Sequence, residues 1–103
     1  MLKSYYHATP YENLGSIFKN GILTGYDGVV YLTENPDEAA RFVVIRGYKK
    51  ILVIEVVVED SLVKETFDHS QIFFRCRAFC YPNAILVDEF GDNIRTYDLN
   101  TEQ

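Results

Sequence analysis

The sequence is poor in cysteine, tryptophan and long apolar runs. Its 103 residues include two cysteines, three prolines, six glycines and no tryptophan. Cys76 and Cys80 fall in one predicted strand, where residues four apart are too distant to bridge, so we expect reduced thiols and a cytoplasmic protein. With two histidines distant in sequence, they do not make a zinc set. No apolar run reaches the roughly 20 residues of a membrane-spanning helix, so a membrane protein is not expected.

Basic residues are also scarce. The chain has 10 Lys and Arg against 15 Asp and Glu, which gives a net charge of −5. This charge disfavours general affinity for nucleic-acid backbones or anionic membranes, although it is compatible with a local basic pocket. The hydrophobic fraction of 48%, with 15% aromatics, is enough for one core. We therefore predict a single folded domain over residues 1–103.

The most informative stretch covers residues 5–21. Two tyrosines precede His7 and favour extended backbone, so His7 is predicted at the end of a strand. Thr9 and Glu12 then have the spacing of an N-cap and its capping box. Apolar residues follow at helical spacing, and Gly21 supplies a left-handed exit. The stretch predicts a strand, a capped helix and a glycine stop, with a histidine just before the helix.

A second unit with the same order of elements follows. Residues 29–33 are rich in strand-forming side chains. Asn35 and Pro36 then fit the N-cap and first position of a helix that ends near Gly47. The loop before this strand carries Tyr26 between two glycines, so it is free to move and to expose an aromatic ring.

The second half of the chain is predicted to be rich in strands. Residues 51–58 are almost wholly apolar, as in a strand buried on both faces near the centre of a sheet. Residues 60–70 are polar and predict a loop with one helical turn, and residues 71–79 predict a further strand. Residues 84–88 and 94–97 predict a terminal hairpin. The fold class is α+β, with about six mainly antiparallel strands and two helices in the N-terminal half.

The two strand-and-helix units resemble the NAD-binding half of ADP-ribosyltransferases, in style closest to the diphtheria-toxin and PARP-like branch. The resemblance rests on Tyr6-His7-Ala8-Thr9 with its helix, and on Val30-Tyr31-Leu32-Thr33 with the helix that follows. It covers roughly residues 4–58, and the remainder only by the order of elements. RNA 2′-phosphotransferases are more distantly similar. The resemblance implies a small fold with a split sheet and NAD as co-substrate.

The resemblance also implies roles for single residues. His7 would donate a hydrogen bond to a ribose hydroxyl, and the motif residues Ala8 and Thr9 would adjoin the ligand, with the Ala8 backbone on the nicotinamide amide. Tyr31 would stack on the nicotinamide ring. Closure of Tyr26 over the ligand is an inference from its loop and not from the resemblance. Taken alone, a strand-end histidine is more typical of local capping or pairing, and a strand tyrosine is usually a packing residue.

The third motif of the family departs from its pattern here. A glutamate normally opens a later strand and stabilises positive charge as the glycosidic bond breaks. In this chain Gln71 occupies the nearest position, which retains a hydrogen bond but supplies no negative charge. Asp68 and His69 are alternatives beside it, and Asp88 and Glu89 are alternatives at a later predicted strand end. For each of the four, a solvated loop residue is the simpler interpretation.

Two further features allow a functional and a structural interpretation. Arg75 and Arg77 share a strand face and would suit a phosphate, as in the RNA phosphotransferases, but pairing with acidic residues on an exposed face is favoured. Glu55 interrupts the apolar strand and marks a wet patch or a partner for one of these arginines.

Three functions remain open. The first is an NAD-dependent mono-ADP-ribosyltransferase that modifies a protein or nucleic-acid target, with protein favoured, in the manner of a toxin or phage effector. The second is a non-catalytic NAD- or ADP-ribose-binding module of the same fold. The third is a small protein–protein interaction or inhibitor domain, or a homodimer, for which the eight tyrosines and seven phenylalanines are the support.

Overall fold

The structure, a computed structural model, describes residues 1–25, 27–66 and 78–99. The strands within these ranges are β1 (Leu2–Pro10), β2 (Val30–Thr33), β3 (Lys50–Glu59), β4 (Lys64–Thr66), β5 (Ala78–Tyr81) and β6 (Phe90–Asp98). The helices are α1 (Leu14–Asn20) and α2 (Pro36–Val44), and 3-10 turns cover Tyr11–Asn13, Asp60–Leu62 and Val87–Glu89. The predicted α+β class, with six strands and two helices in the first half, is confirmed.

The strands form one sheet that is narrowly joined in the middle. Their order is β4-β5-β2-β1-β3-β6, and every pairing is antiparallel. β1 pairs with β3 along its full length of nine residues. β1 and β2, in contrast, share a single register pair, Tyr6 opposite Thr33. We call this junction the seam; the sheet is continuous across it, whereas the resemblance implied a split sheet.

β3 is buried on both faces, as its apolar sequence predicts. Leu52 and Ile54 lie in a cluster of buried residues that includes Ile17 of α1. Ile51 and Val53 lie in a second cluster, formed with α2. Successive side chains of a strand point to opposite faces, so the two helices cover opposite faces of the sheet. Each fully buried aliphatic side chain stabilises the fold by roughly 1.5–3 kcal/mol.

The start of α2 is as predicted. The Asn35 side chain accepts hydrogen bonds from the backbone N–H groups of Asp37 (2.8 Å) and Glu38 (3.4 Å). Pro36 is the first helical residue, where its missing N–H costs nothing. After the helix, Gly47 adopts a positive φ of 96° and turns the chain toward β3. Local sequence is sufficient for this element because its capping groups are all within four residues.

The start of α1 is not as predicted. Thr9 does not cap a helix; it lies in β1 opposite Leu52, and its Oγ1 accepts a hydrogen bond from Asn13 Nδ2 (2.8 Å). A 3-10 turn, Tyr11–Asn13, separates β1 from α1. The backbone pairing of β1 with β3 prevails over the capping signal because it satisfies more backbone groups. His7 therefore lies inside β1 and not at its end.

The predicted hairpin of residues 84–88 and 94–97 is wrong. Ile85 forms an isolated bridge with Ile22, and the chain then makes the 3-10 turn Val87–Glu89. β6 pairs with β3 and not with the segment before it. The open edge of a buried apolar strand is a better partner than a short local segment, because an unpaired edge leaves backbone groups without hydrogen bonds.

Glu55 has a structural partner that the sequence did not reveal. The ladder between β3 and β6 shifts register between Ile54 and Val56, so Glu55 lies at an irregularity. Its Oε1 accepts a hydrogen bond from the Asn93 backbone N–H (3.1 Å). A side chain at Gly91 would collide with its carboxylate. Within the described residues, Glu55 therefore fastens β6 to β3.

The predictions for residues 60–79 have a mixed outcome. The expected helical turn is present at Asp60–Leu62, but β4 follows it and was missed, because three polar residues give no hydrophobic alternation. Of the predicted strand 71–79, the last two residues belong to β5. Residues 71–77 lie outside the described residues.

Gly21 should tolerate no side chain. It ends α1 with a φ of 79°, and a Cβ there would lie 2.5 Å from the Ile85 carbonyl oxygen. We expect Gly21→Ala to lower the free energy of unfolding by roughly 2–4 kcal/mol, from backbone strain and overlap together. Gly15→Ala is the control, since nothing lies within 4 Å of its Cβ position and alanine favours the helix. Urea unfolding measures both, and equal stabilities would contradict this account.

Candidate functional site

The seam opens into a cleft of about 660 Å³. β1 and β2 share no register pair beyond Tyr6 and Thr33, so the two strands can part there. Four predicted site residues line this seam cleft, namely His7, Ala8, Thr9 and Tyr31. The other two, Tyr26 and Gln71, lie outside the described residues. The chain topology thus brings the first and second motifs to one concave surface.

His7 links the two strands at the seam. Its Nδ1 lies 2.9 Å from the backbone carbonyl oxygen of Tyr31. A carbonyl only accepts hydrogen bonds, so Nδ1 carries the proton and donates it. The neutral ring then has Nε2 as a hydrogen-bond acceptor.

The environment of His7 favours the neutral ring. Burial lowers the pKa of His7 below its ordinary value, the Arg46 charge lowers it further, and the hydrogen bond to the Tyr31 carbonyl opposes both. A hydroxyl placed at His7 would therefore donate to Nε2. This direction is the reverse of the hydrogen bond that the resemblance implied, because the one N–H of the neutral ring is already engaged.

Tyr31 presents a half-exposed ring to the seam cleft. Tyr31 is 46% exposed, and its hydroxyl donates a hydrogen bond to Asp27 Oδ2 (2.6 Å). This hydrogen bond is the main cause that lowers the pKa of Asp27, so the carboxylate stays ionised at neutral pH. The loop around Asp27 is closed by the hydrogen bonds from Gly25 N–H to Val29 (3.1 Å) and from Gly28 N–H to Gly25 (2.9 Å). The phenol thus tethers this loop, and the ring offers a flat surface for stacking.

Thr9 and Ala8 contribute through the backbone more than through functional groups. Thr9 is 7% exposed, and its hydroxyl holds Asn13 in the turn that follows β1. Ala8 is half-buried and carries no polar side-chain group. The two residues shape the floor of the seam cleft between His7 and the 3-10 turn.

Sequence reasoning missed the basic and aromatic side of this cleft. Arg46 and Tyr48 stand on either side of Gly47, and both line the seam cleft. The Arg46 guanidinium lies 5.8 Å from the centre of the Tyr48 ring. No carboxylate of the described residues lies within 4 Å of Arg46. In the sequence they are simply an arginine and a tyrosine on either side of a glycine that ends a helix. Only the packing of α2 against β1 brings them to the cleft.

Negative charge in the seam cleft comes from residues that were not predicted. Glu12 and Asp27 are its acidic lining residues within the described ranges. Asp88 and Glu89 do not line it, and they lie in a 3-10 turn and not at a strand end. Glu89 Oε1 accepts a hydrogen bond from the Leu86 backbone N–H (2.9 Å), which gives it a structural role. The remaining candidates, Asp68, His69, Arg75 and Arg77, lie outside the described residues.

The stability of the protein should depend on the protonation of His7. Because its pKa is lower in the folded than in the unfolded chain, the unfolded chain binds the proton first as the pH falls below about 6.5. The free energy of unfolding should then fall by up to about 1.4 kcal/mol per pH unit until the folded-state pKa is reached. Urea unfolding of the wild type and His7→Gln at pH 7.5, 6.5 and 5.5 isolates this term, since His69 is present in both. A difference between the two proteins that stays constant with pH would contradict the assignment.

Neither a membrane segment nor a metal cluster is found in the described ranges. No helix there has the length and apolarity to cross a membrane. No group of three His, Cys, Asp or Glu side chains there could hold a metal ion, and Cys80 is a half-buried free thiol. No protein-family model matches the chain, and no curated protein matches its sequence.

Proposed function

We propose that this protein binds NAD in the seam cleft and transfers its ADP-ribose group to a macromolecular acceptor. One observation carries the proposal. His7 and Tyr31, from two motifs far apart in the chain, are joined by a 2.9 Å hydrogen bond in the wall of one cleft. The family resemblance implies that both side chains contact one ligand, so the position of both residues on the wall of one cleft supports the proposal.

The chemistry of the cleft suits the parts of a dinucleotide. The His7 Nε2 accepts a hydrogen bond from a ribose hydroxyl, which fixes the sugar. The Tyr31 ring stacks on the nicotinamide, an interaction that contributes roughly 0.5–1.5 kcal/mol beyond burial. Arg46 supplies a cation for the pyrophosphate, since a guanidinium matches phosphate geometry. Its freedom from carboxylates of the described residues leaves its charge available.

The transfer itself needs stabilisation of positive charge. The bond between nicotinamide nitrogen and ribose C1 breaks, the nitrogen keeps the electron pair, and positive charge develops on the sugar. An acceptor nucleophile then bonds to C1 and releases its proton. An ionised carboxylate near C1 lowers the barrier for this step. In the described part of the cleft, Asp27 and Glu12 are the carboxylates that could serve.

A second candidate is a module that binds NAD or ADP-ribose without turnover. It is favoured by Gln71, which stands where the family has a glutamate. An amide retains the hydrogen bond to a ribose but not the charge that bond breaking requires. Binding of NAD without release of nicotinamide would favour this candidate.

NAD binding should depend on both motif residues. We expect His7→Ala and Tyr31→Ala each to weaken binding at least about tenfold, which corresponds to about 1.4 kcal/mol. Tyr31→Phe keeps the stacking surface and should bind nearly as well as the wild type. Isothermal titration calorimetry gives the affinities, and circular dichroism shows that each variant is folded. Wild-type affinity in both alanine variants would contradict the assignment of the NAD site. Absence of NAD binding by the wild type would point to a protein partner instead.

Restoring the third-motif carboxylate should raise turnover. We expect Gln71→Glu to increase the release of nicotinamide from NAD at least about tenfold, because one well-placed charge is worth more than 1.4 kcal/mol at the transition state. Gln103→Glu introduces the same chemical change elsewhere and should have no effect. If both variants release nicotinamide at the wild-type rate, Gln71 does not correspond to the family glutamate.

A further inference from the structure

A second groove lies beside the seam cleft. It is smaller, with a volume of about 460 Å³. It shares three wall residues with the seam cleft, which are Pro10, Glu12 and Tyr48. Its other lining residues are Tyr11, Gly47, Lys49 and Lys50. We call it the lysine groove, and its two lysines do not line the seam cleft.

The lysine groove concentrates positive charge on an acidic protein. Two basic side chains, Lys49 and Lys50, line it against one acidic side chain, Glu12, although the net charge of the chain is −5. Lys49 and Lys50 are both exposed, and no carboxylate of the described ranges lies within 4 Å of either. The Lys50 Nζ lies 4.2 Å from the centre of the Tyr11 ring. Exposed cations with no carboxylate partner among the described residues favour an anionic ligand at this groove.

Aromatic rings accompany these cations. Tyr48 is 38% exposed and stands between the two grooves. Tyr11 forms a further part of the wall. Grooves that bind single-stranded nucleic acids combine basic groups for the phosphates with aromatic rings on which bases stack.

We propose that the lysine groove binds single-stranded nucleic acid, and that this strand is the acceptor in the transfer reaction. Lys49 and Lys50 bind successive phosphates, and a base stacks on Tyr48. The strand must be single because a duplex hides the faces of its bases. The role as acceptor rests on the proposed function, whereas the binding itself does not. Since the grooves share a wall, a nucleotide held here lies next to the sugar held by His7.

Glu12 favours a nucleic-acid strand over an acidic protein segment as the ligand of this groove. Its carboxylate lines the lysine groove together with the lysines. Acidic peptide side chains only accept hydrogen bonds, so Glu12 repels them and gains nothing in return. Nucleobases carry amino groups that donate to a carboxylate. A base amino group and two phosphates of one strand can therefore contact Glu12, Lys49 and Lys50 together, whereas acidic side chains offer Glu12 no donor.

The test measures binding of fluorescein-labelled single-stranded DNA and RNA 12-mers of mixed sequence by fluorescence anisotropy at 50–200 mM NaCl. The wild type should bind with a log–log salt slope of about −1.4, for two phosphates at about −0.7 each. The double variant Lys49→Ala/Lys50→Ala should lose about tenfold or more in affinity at 50 mM. Lys19→Ala/Lys64→Ala removes the same charge outside both grooves and should stay within about twofold. Tyr48→Ala should also weaken binding about tenfold, and Tyr48→Phe should not.

Several outcomes would overturn the inference. They are absence of oligonucleotide binding by the wild type, equal losses in the two double variants, and lysine-dependent binding of a labelled polyglutamate peptide in place of the oligonucleotides. NAD titrations of the same variants separate this inference from the proposed function. NAD binding without oligonucleotide binding would contradict only the role of the lysine groove. Oligonucleotide binding without NAD binding would contradict only the NAD site. Loss of NAD affinity in Lys49→Ala/Lys50→Ala would assign the groove to NAD and overturn the inference.

Discussion

The hydrogen bond between the His7 imidazole and the Tyr31 carbonyl joins two halves of a sheet whose strands β1 and β2 share one register pair. Where two strands part, their backbone groups lose ladder partners and must find others. Here a side chain supplies one of them. The same bond fixes the tautomer of the ring, keeps the strands together below the cleft, and leaves the other ring nitrogen for a ligand. A structural requirement and a candidate chemical role thus rest on one imidazole.

Elements set by local interactions could be predicted from the sequence, whereas those set by long-range strand pairing could not. The cap of α2 at Asn35 is local and was predicted correctly, and the double burial of β3 follows from composition alone. The Thr9 capping box and the terminal hairpin were equally good local signals, yet both were wrong. In each case pairing with β3 prevailed. A single sequence does not reveal which segments will pair with the two edges of a buried strand. Both wrong predictions concern segments that pair with β3.

The same distinction applies to the candidate site. His7 and Tyr31 were chosen as site candidates from a few residues each, and both line one cleft, while their roles stay a prediction. Arg46 and Tyr48 could not be predicted, because only the packing of α2 against β1 brings the turn after the helix to that cleft. The direction of the His7 hydrogen bond was also beyond sequence, since it depends on a carbonyl group of another strand.

β3 has one neighbour from the beginning of the chain and another from near its end. β1 covers one edge early, but β6 begins at Phe90, well after β3 has been made. During synthesis on the ribosome, the most apolar strand of the protein therefore waits with an open edge. Such an edge is a template for pairing with other chains. The pairing of β6, which Glu55 fastens, covers this edge of β3 and removes it as a template for aggregation of nascent chains.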